Sequence, residues 1–254
     1  MCDSLRLAVL VVGLTSFGCD GDEGVDAGVA SDAGGSDAGA ADAGPMDVDA
    51  GPPATEEITM SFVLFGSGVL AEGVELCEAD TTSCATSTAL GRATLTVNVG
   101  VESFLRMGGT GFQPSILPFR DLGLANGVTF NAPGPTVIDD LYVSAGVTPD
   151  PALGTIILLP QTGSEGLAIT SSSGQVFYTG DGRDRMVDPA LTAVPSGPVP
   201  VVFIANVDVG EATLTQTGTA SPCEALFGWA GSTAGELRMP VEAATMVADN
   251  LICL

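Results

Sequence analysis

From Ile58 onward, apolar and polar residues change places in short runs closed off by Gly, Pro, Asp and Ser. Alternation of period two is the signature of half-buried strands, and the bounding residues supply turns. "ITMSFVLFG" (Ile58–Gly66), "VELCEA" (Val74–Ala79), "RATLTVNV" (Arg92–Val99) and "ESFLRMGG" (Glu102–Gly109) form a first series, with a further short strand at Val128–Asn131. "TVIDDLYVSAG" (Thr136–Gly146) departs from the pattern: its apolar residues recur at helical spacing, which predicts one short helix. "VTPDPALG" then reads as a boundary, because Pro149 and Pro151 block regular structure. A second series runs from "GTIILLP" at 154 through "GLAITS" at 166, "QVFYTG" at 175, "VPVVFIANV" at 199, "EATLTQTG" at 211 and "ELRMPVEA" at 236 to "MVADNLICL" at 246. The pattern predicts an all-β protein with two antiparallel β-sandwich domains, 58–147 and 148–254.

Composition agrees and then excludes. The chain holds 34 Gly and 16 Pro, which suits many turns and few helices. Its formal charge is −24, from 31 acids and seven Arg, with neither Lys nor His. Phosphate backbones need clustered cations, so no nucleic-acid partner is expected, nor an electrostatic hold on anionic lipid. Without His there is no Ser-His-Asp or Cys-His nucleophile and no imidazole metal site. Without Lys there is no Schiff base and no P-loop lysine. Enzyme chemistry is left with carboxylates, Cys, Tyr, Arg or a metal held by oxygen or sulfur. We expect no enzyme, no catalytic residue and no cofactor.

The first residues carry an address. Leu7–Leu14, "LAVLVVGL", is too short to cross a bilayer but suits the apolar region of a signal peptide. The segment 1–18 followed by Cys19 resembles a bacterial lipoprotein signal, with Ser16 where such signals usually carry Leu. That resemblance implies that Cys19 becomes the first mature residue and carries the lipid, anchoring the protein in the cell envelope at the outer membrane or cell surface. From Asp20 to Glu57 there are 11 acids and no base, and Asp-Ala-Gly occurs five times at irregular spacing. Such a tract cannot bury enough apolar surface to offset its ordering entropy, so 19–57 is expected to be a disordered tether. It lacks the spaced ligands and turn glycine of a calcium loop.

In an exported chain Cys77, Cys84, Cys223 and Cys253 read as disulfides. Local pairing, Cys77 with Cys84 and Cys223 with Cys253, is expected; other pairings stay open. Metal binding by these thiols is not expected, because CxxC spacing is absent.

The stretch Gly73–Pro114 resembles a carboxypeptidase regulatory-like domain, the transthyretin-like or Ig-like sandwich. Gly73-Val74 matches its first strand, Thr88-Ala89-Leu90-Gly91 its turn and Gly111-Phe112 its last element, with Ala89 in place of the usual turn Asp. A fainter likeness runs through "FYTGDGRDRMVDPALTAVPSG" and "VVFIANVDVGEATLT", with Asp208 where the family's turn has Pro. The resemblance implies a fold and no catalytic residue.

Four local features suggest chemistry. "GSGVLA" (Gly66–Ala71) matches a dinucleotide fingerprint but lacks the helix that must open at its glycines, so a loop between strands is expected. "GDGRDRMVD" (Gly180–Asp188) mixes Asp181, Asp184 and Asp188 with Arg183 and Arg185, which reads as a self-neutralising turn. Asp139 and Asp140 are adjacent carboxylates, yet neighbours on a helix do not share a face, which argues against glycoside hydrolysis. Trp229, the single Trp, lies in "CEALFGWAGSTAG". It reads as an apolar plug packed against the Cys223 disulfide, or as the stacking residue of a glycan-binding loop. The sequence therefore points to a non-enzymatic envelope lipoprotein with structural or adhesive work, the alternative being a glycan-binding module built on the Trp229 loop.

Overall fold

The structure is a computed structural model and describes residues 54–65, 67–161, 163–180, 186–197, 200–219 and 222–253. The signal segment 1–18, the lipid site Cys19, the tether as far as residue 53 and the Asp181–Arg185 cluster lie outside the described residues.

The first half contributes β1 (Thr55–Leu64), β2 (Glu75–Glu78), β3 (Cys84–Thr86), β4 (Arg92–Asn98), β5 (Ser103–Gly108), β6 (Ser115–Phe119), β7 (Thr129–Ala132) and the helix α1 (Pro135–Ala145). The second contributes β8 (Gly154–Pro160), β9 (Leu167–Ser171), β10 (Gln175–Tyr178), β11 (Val202–Val207), β12 (Gly210–Gly218), β13 (Cys223–Ala225), β14 (Glu236–Val241) and β15 (Met246–Cys253). The strands form a nine-stranded sheet and two three-stranded sheets, ordered β4-β1-β7 and β14-β12-β9. The long sheet runs β10-β11-β8-β15-β6-β5-β2-β3, with β13 also paired to β15.

Alternation along the central strands shows what covers each face. In β8, Ile156 and Leu158 join the core shared with β9, β12 and β14, whereas Ile157 joins the one beneath α1. In β6, Ile116 faces the former, while Leu117 and Phe119 join the core under β1 and β4. The registers Val247↔Ile116 and Val247↔Ile156 place these residues on one face. The β14-β12-β9 sheet therefore covers one face of the long sheet; β4-β1-β7 and α1 cover the other.

Each half builds a sandwich, as its strand pattern implies, but the two sandwiches share one sheet. Strands from both sides of the expected boundary at 147/148 meet where β15 runs alongside β6, and the described residues form a single compact unit. The cause is β6: all five of its residues are buried, so it needs cover on both faces and takes one from each half. The ladders are not uniformly antiparallel either. β7 runs parallel to β1, and β15 runs parallel to both β6 and β8. Parallel pairing needs a crossover, and the chain supplies one by passing from β14 in the small sheet to β15 in the large one.

Three further differences have local causes. β1 starts at Thr55, so residues 55–57, expected in the tether, are strand; Glu56 and Glu57 pair with Val97 and Thr96 while their side chains stay exposed. β6 contains Pro118, which ordinarily demotes a run to an edge. Here β15 pairs with β6 only at Ser115 and Ile116, so no parallel ladder reaches Pro118 to miss its N–H. β3 and β13 are three-residue strands, too short for alternation to reveal.

α1 begins with Pro135 at its first turn and ends on Gly146 at φ 68°, whose N–H donates to the carbonyls of Tyr142 and Val143. Val137, Ile138, Leu141 and Tyr142 form its buried stripe. In the expected Thr88–Gly91 turn, the Gly91 N–H donates to the Thr88 carbonyl at 2.7 Å. A Cβ on Gly91 would stand 2.5 Å from the Phe62 carbonyl oxygen, so only glycine fits there.

Candidate functional site

Cys77 is bonded to Cys84 and Cys223 to Cys253, each pair directly opposite across a two-strand ladder. The second bond starts the construction of a site. It closes β13 onto β15, and Gln216 adds two hydrogen bonds at the same point: its Nε2 donates to the Cys223 carbonyl and its Oε1 accepts the Cys223 N–H at 2.8 Å. Beyond β13 the chain turns through Leu226–Gly228 and presents Trp229.

That turn is fastened to a buried carboxylate. Asp249 of β15 is 2% exposed. Its Oδ1 accepts the Asn250 N–H at 2.7 Å and, at a longer 3.5 Å, the Phe227 N–H. The amides of Gly228 and Leu226 also lie beside it. Its Oδ2 has no hydrogen-bond partner among the described residues. Burial dominates and pushes the carboxyl up to about 7, against the lowering effect of those amides.

Past Trp229 the loop is held by Ser232, whose Oγ accepts the Arg238 N–H at 2.9 Å and donates to the Arg238 carbonyl at 3.3 Å. Arg238 is itself paired with Glu211 at 3.3 Å. On the other flank Glu102 accepts from the Ala230 amide; partial desolvation raises its carboxyl, that hydrogen bond opposes the rise, and Glu211 adds to it. The Arg120 N–H donates to the Phe227 carbonyl, bringing the end of β6 to the same loop.

These constraints enclose a cleft of about 200 Å³ lined by Arg120, Glu224, Ala225, Gly228, Trp229, Ser232, Thr233, Ala234 and Leu237. Trp229 is half-buried, with its ring 6.1 Å from that of Phe104 at a tilt of 52°. The guanidinium of Arg106 lies over the far partner of that contact, 4.9 Å from the Phe104 centroid. Arg120 and Glu224 are exposed and form no ion pair with each other. The cleft thus offers one cation, one carboxylate, hydroxyls and an aromatic side chain, a set that suits a neutral, hydroxyl-rich ligand. A second cavity lies between β7, α1 and the central sheet, lined by Phe65, Phe130, Ile138, Leu141, Phe227 and Met246 among others. It is mostly apolar, with Thr129, Asn131 and Asn250 among its lining residues, and offers about 70 Å³.

The remaining candidates separate from the cleft. Asp139 and Asp140 are exposed on α1 and line neither cavity. Tyr142 and Tyr178 are buried, so the cleft has no tyrosine platform. Residues 67–71 turn back on β1, with the Ala71 N–H donating to the Phe62 carbonyl, and no helix opens there. Among the described residues no group of three His, Cys, Asp or Glu side chains could hold a metal ion. The sequence singled out Trp229 but missed Phe104, Arg120 and Asp249. One signal was present: Val247, Asp249 and Leu251 share a strand face, which sets an acid in an apolar row.

No protein-family model matches the chain, and no curated protein matches it. Among solved structures, the Bacillus anthracis TIE protein aligns at 8% identity and TM-score 0.24, over 78% of this chain and 34% of that one. The present chain thus spans about a third of that protein. A family 26 carbohydrate-binding module of Eubacterium rectale Amy13K, solved with maltoheptaose, aligns at 11% identity and TM-score 0.23, over 78% of this chain and 96% of that one. The shaft pilin SpaA of Lactobacillus rhamnosus GG aligns at 11% identity and TM-score 0.22, over 79% and 99%. Alignments this loose fix neither topology nor ligand.

Proposed function

We propose that this is a non-enzymatic cell-envelope protein, lipid-anchored at Cys19 and held off the membrane by its acidic tether, whose β body adheres to a neutral glycan through the Trp229 cleft. The observation that carries the glycan reading is the cleft itself: a half-buried Trp229 beside Arg120, Glu224 and Thr233 in about 200 Å³ of open volume. An indole face stacks against the apolar face of a sugar ring while Arg120 donates to, and Glu224 accepts from, its hydroxyls. The opposite charges of these two residues leave the cleft near neutrality within an acidic body, which favours uncharged sugars over uronates. The carboxypeptidase regulatory-like likeness of 73–120 suits a displayed, non-catalytic body of this kind.

The test is retention of the oxidised protein on immobilised neutral polysaccharides. We expect binding to at least one, abolished by Trp229→Ala and weakened by Glu224→Gln, with circular dichroism unchanged in both variants. Retention that survives Trp229→Ala moves adhesion elsewhere on the surface. Mass spectrometry of the membrane-extracted protein tests the anchor: acyl mass on a chain starting at Cys19 is expected, and an unmodified chain cut elsewhere removes it.

A further inference from the structure

The outer edges of the three sheets are not treated alike. An edge strand presents unpaired main-chain groups, which proteins ordinarily cover. On β9, the Ser164 carbonyl and the Val194 N–H take both main-chain groups of Leu167, and the Tyr178 hydroxyl accepts the Ile169 N–H at 2.8 Å. On β14, Ser232 holds both main-chain groups of Arg238, Thr233 holds both of Glu236, and Pro240 has no N–H to cover. β4 is met by Thr88 at Arg92, by Ser83 at Thr96 and by Glu78 at Asn98; β10 is met by Asp188 at Tyr178. β3 is only three residues long. β7 has no such cover. It pairs with β1 alone. Ser61 donates to the Val128 carbonyl at 2.8 Å and Phe65 to the Ala132 carbonyl at 3.0 Å, so the parallel ladder turns Val128, Phe130 and Ala132 toward β1. The N–H and carbonyl groups of Thr129 and Asn131 face the other way, where no partner meets them among the described residues. Both residues line the cavity between β7, α1 and the central sheet. We propose that β7 and this cavity bind an extended segment of a partner protein by strand addition, a segment with uncharged, small apolar side chains at alternate positions.

Each part of the site specifies one property of the occupant. Main-chain donors and acceptors on alternate residues of β7 are matched by another extended main chain, and the cavity beside them receives every second side chain. Ile157 of β8, Met246 and Ala248 of β15 and Ile138 and Leu141 of α1 line it, so those side chains are apolar. Their size is limited. At roughly 10–15 Å³ for each water-sized group, the available 70 Å³ takes about five to seven heavy atoms, or two Val side chains. Charge selects as well. No lining residue is ionisable, so a charged side chain entering the cavity would lose its hydration without gaining a counterion. Outside it, Asp139 and Asp140 lie exposed on α1 and the chain carries a net −24, which draws a segment with Arg or Lys beyond its ends. The cavity shares no lining residue with the Trp229 cleft, so strand addition and glycan binding stand or fall separately.

The experiment is amide hydrogen exchange, read by NMR on the oxidised full chain, alone and with the synthetic peptide Arg-Thr-Val-Thr-Val-Thr-Arg at millimolar concentration. Two further peptides carry N-methyl groups on their Val or on their Thr residues, each stripping the donors from one edge of the strand. In the free protein the Thr129 and Asn131 amides are expected to exchange freely while those of Phe130 and Ala132 are protected. The unmethylated peptide should slow exchange at Thr129 and Asn131 by about tenfold or more, and one of the two methylated peptides should lose that effect. Asn131→Pro, which removes an N–H on the open side and none from the ladder to β1, should abolish the slowing at Thr129 with circular dichroism unchanged. If that variant does not fold, the methylated peptides carry the test in the wild-type protein. Protection of Thr129 and Asn131 before any peptide is added overturns the proposal, and its loss on dilution would name a second copy of this chain as the occupant. Exchange unaltered by the unmethylated peptide also overturns it. Equal slowing by both methylated peptides does the same, by assigning the cavity to a small apolar group rather than to a strand.

Discussion

The two disulfide-closed strand pairs are built alike and placed differently. In each, cysteines face one another across an antiparallel ladder of three residue pairs. The Cys77–Cys84 hairpin ends the long sheet: β3 is its outermost strand, and β2 is tied back by Glu78, whose carboxylate accepts from the Asn98 N–H at 3.1 Å and the Asn98 Nδ2 at 2.9 Å. The Cys223–Cys253 pair, which joins β13 to β15 across the intervening β14, lies at the middle of that sheet, with Cys223 fully buried, and the chain leaving β13 forms the cleft. One covalent device seals an edge. The other sets the origin of a binding loop. Identical local chemistry thus serves stability in one region and positioning in the other, decided by the segment of chain that leaves each strand pair.

Removing the bonds separates these roles. Loop-closure entropy assigns about 4 kcal/mol to the longer Cys223–Cys253 loop. Replacing both of its cysteines with Ser is expected to cost at least that in chemical denaturation, because two hydroxyls also enter a buried site, and to change Trp229 emission under native conditions. Next in size is a pH effect confined to the same region. Folded Asp249 retains its proton to about pH 7, whereas the unfolded chain releases it near 4. Between those limits the folded protein binds more protons, so stability falls as pH rises, by up to about 4 kcal/mol. Its contribution is complete below pH 4 and lost above 7; Asp249→Asn should flatten that slope in denaturant titrations, and an unchanged slope would assign it to other groups.

The edge hairpin should respond less. Replacing Cys77 and Cys84 with Ser is expected to cost about 2.5 kcal/mol, with Trp229 emission and polysaccharide retention unaffected. A change in either would show that the two regions are coupled. The smallest effect belongs to Arg106 on β5, which donates from Nε and Nη2 to Glu242, the residue just past the end of β14. Glu242 holds its guanidinium above the usual range, chiefly through that hydrogen bond. Both side chains are partly exposed, so Arg106→Gln should cost only about 1 kcal/mol.

Strand identity was legible because alternation is a local property: β8 runs over 154–160 as its apolar run implies, and α1 lies within one residue of its predicted span. The shared sheet was not, because it depends on β6, whose Pro118 reads as a breaker until the two-residue overlap with β15 is known. Trp229 announced itself as a lone indole in a small-residue loop. Phe104 and Arg120 did not, since nothing local ties β5 or the end of β6 to a loop more than 100 residues later. Asp249 was visible as an acid on an apolar strand face, though its amide partners come from a turn that only the tertiary structure brings to it.

The most direct test of the glycan reading is a titration of the oxidised protein with neutral oligosaccharides, read by Trp229 emission at pH 6. With one indole in the chain, a saturable blue shift that Glu224→Gln weakens would place the sugar in the cleft, which is the predicted result. Emission unchanged by every neutral sugar, in a protein whose circular dichroism remains native, would contradict a glycan site at Trp229.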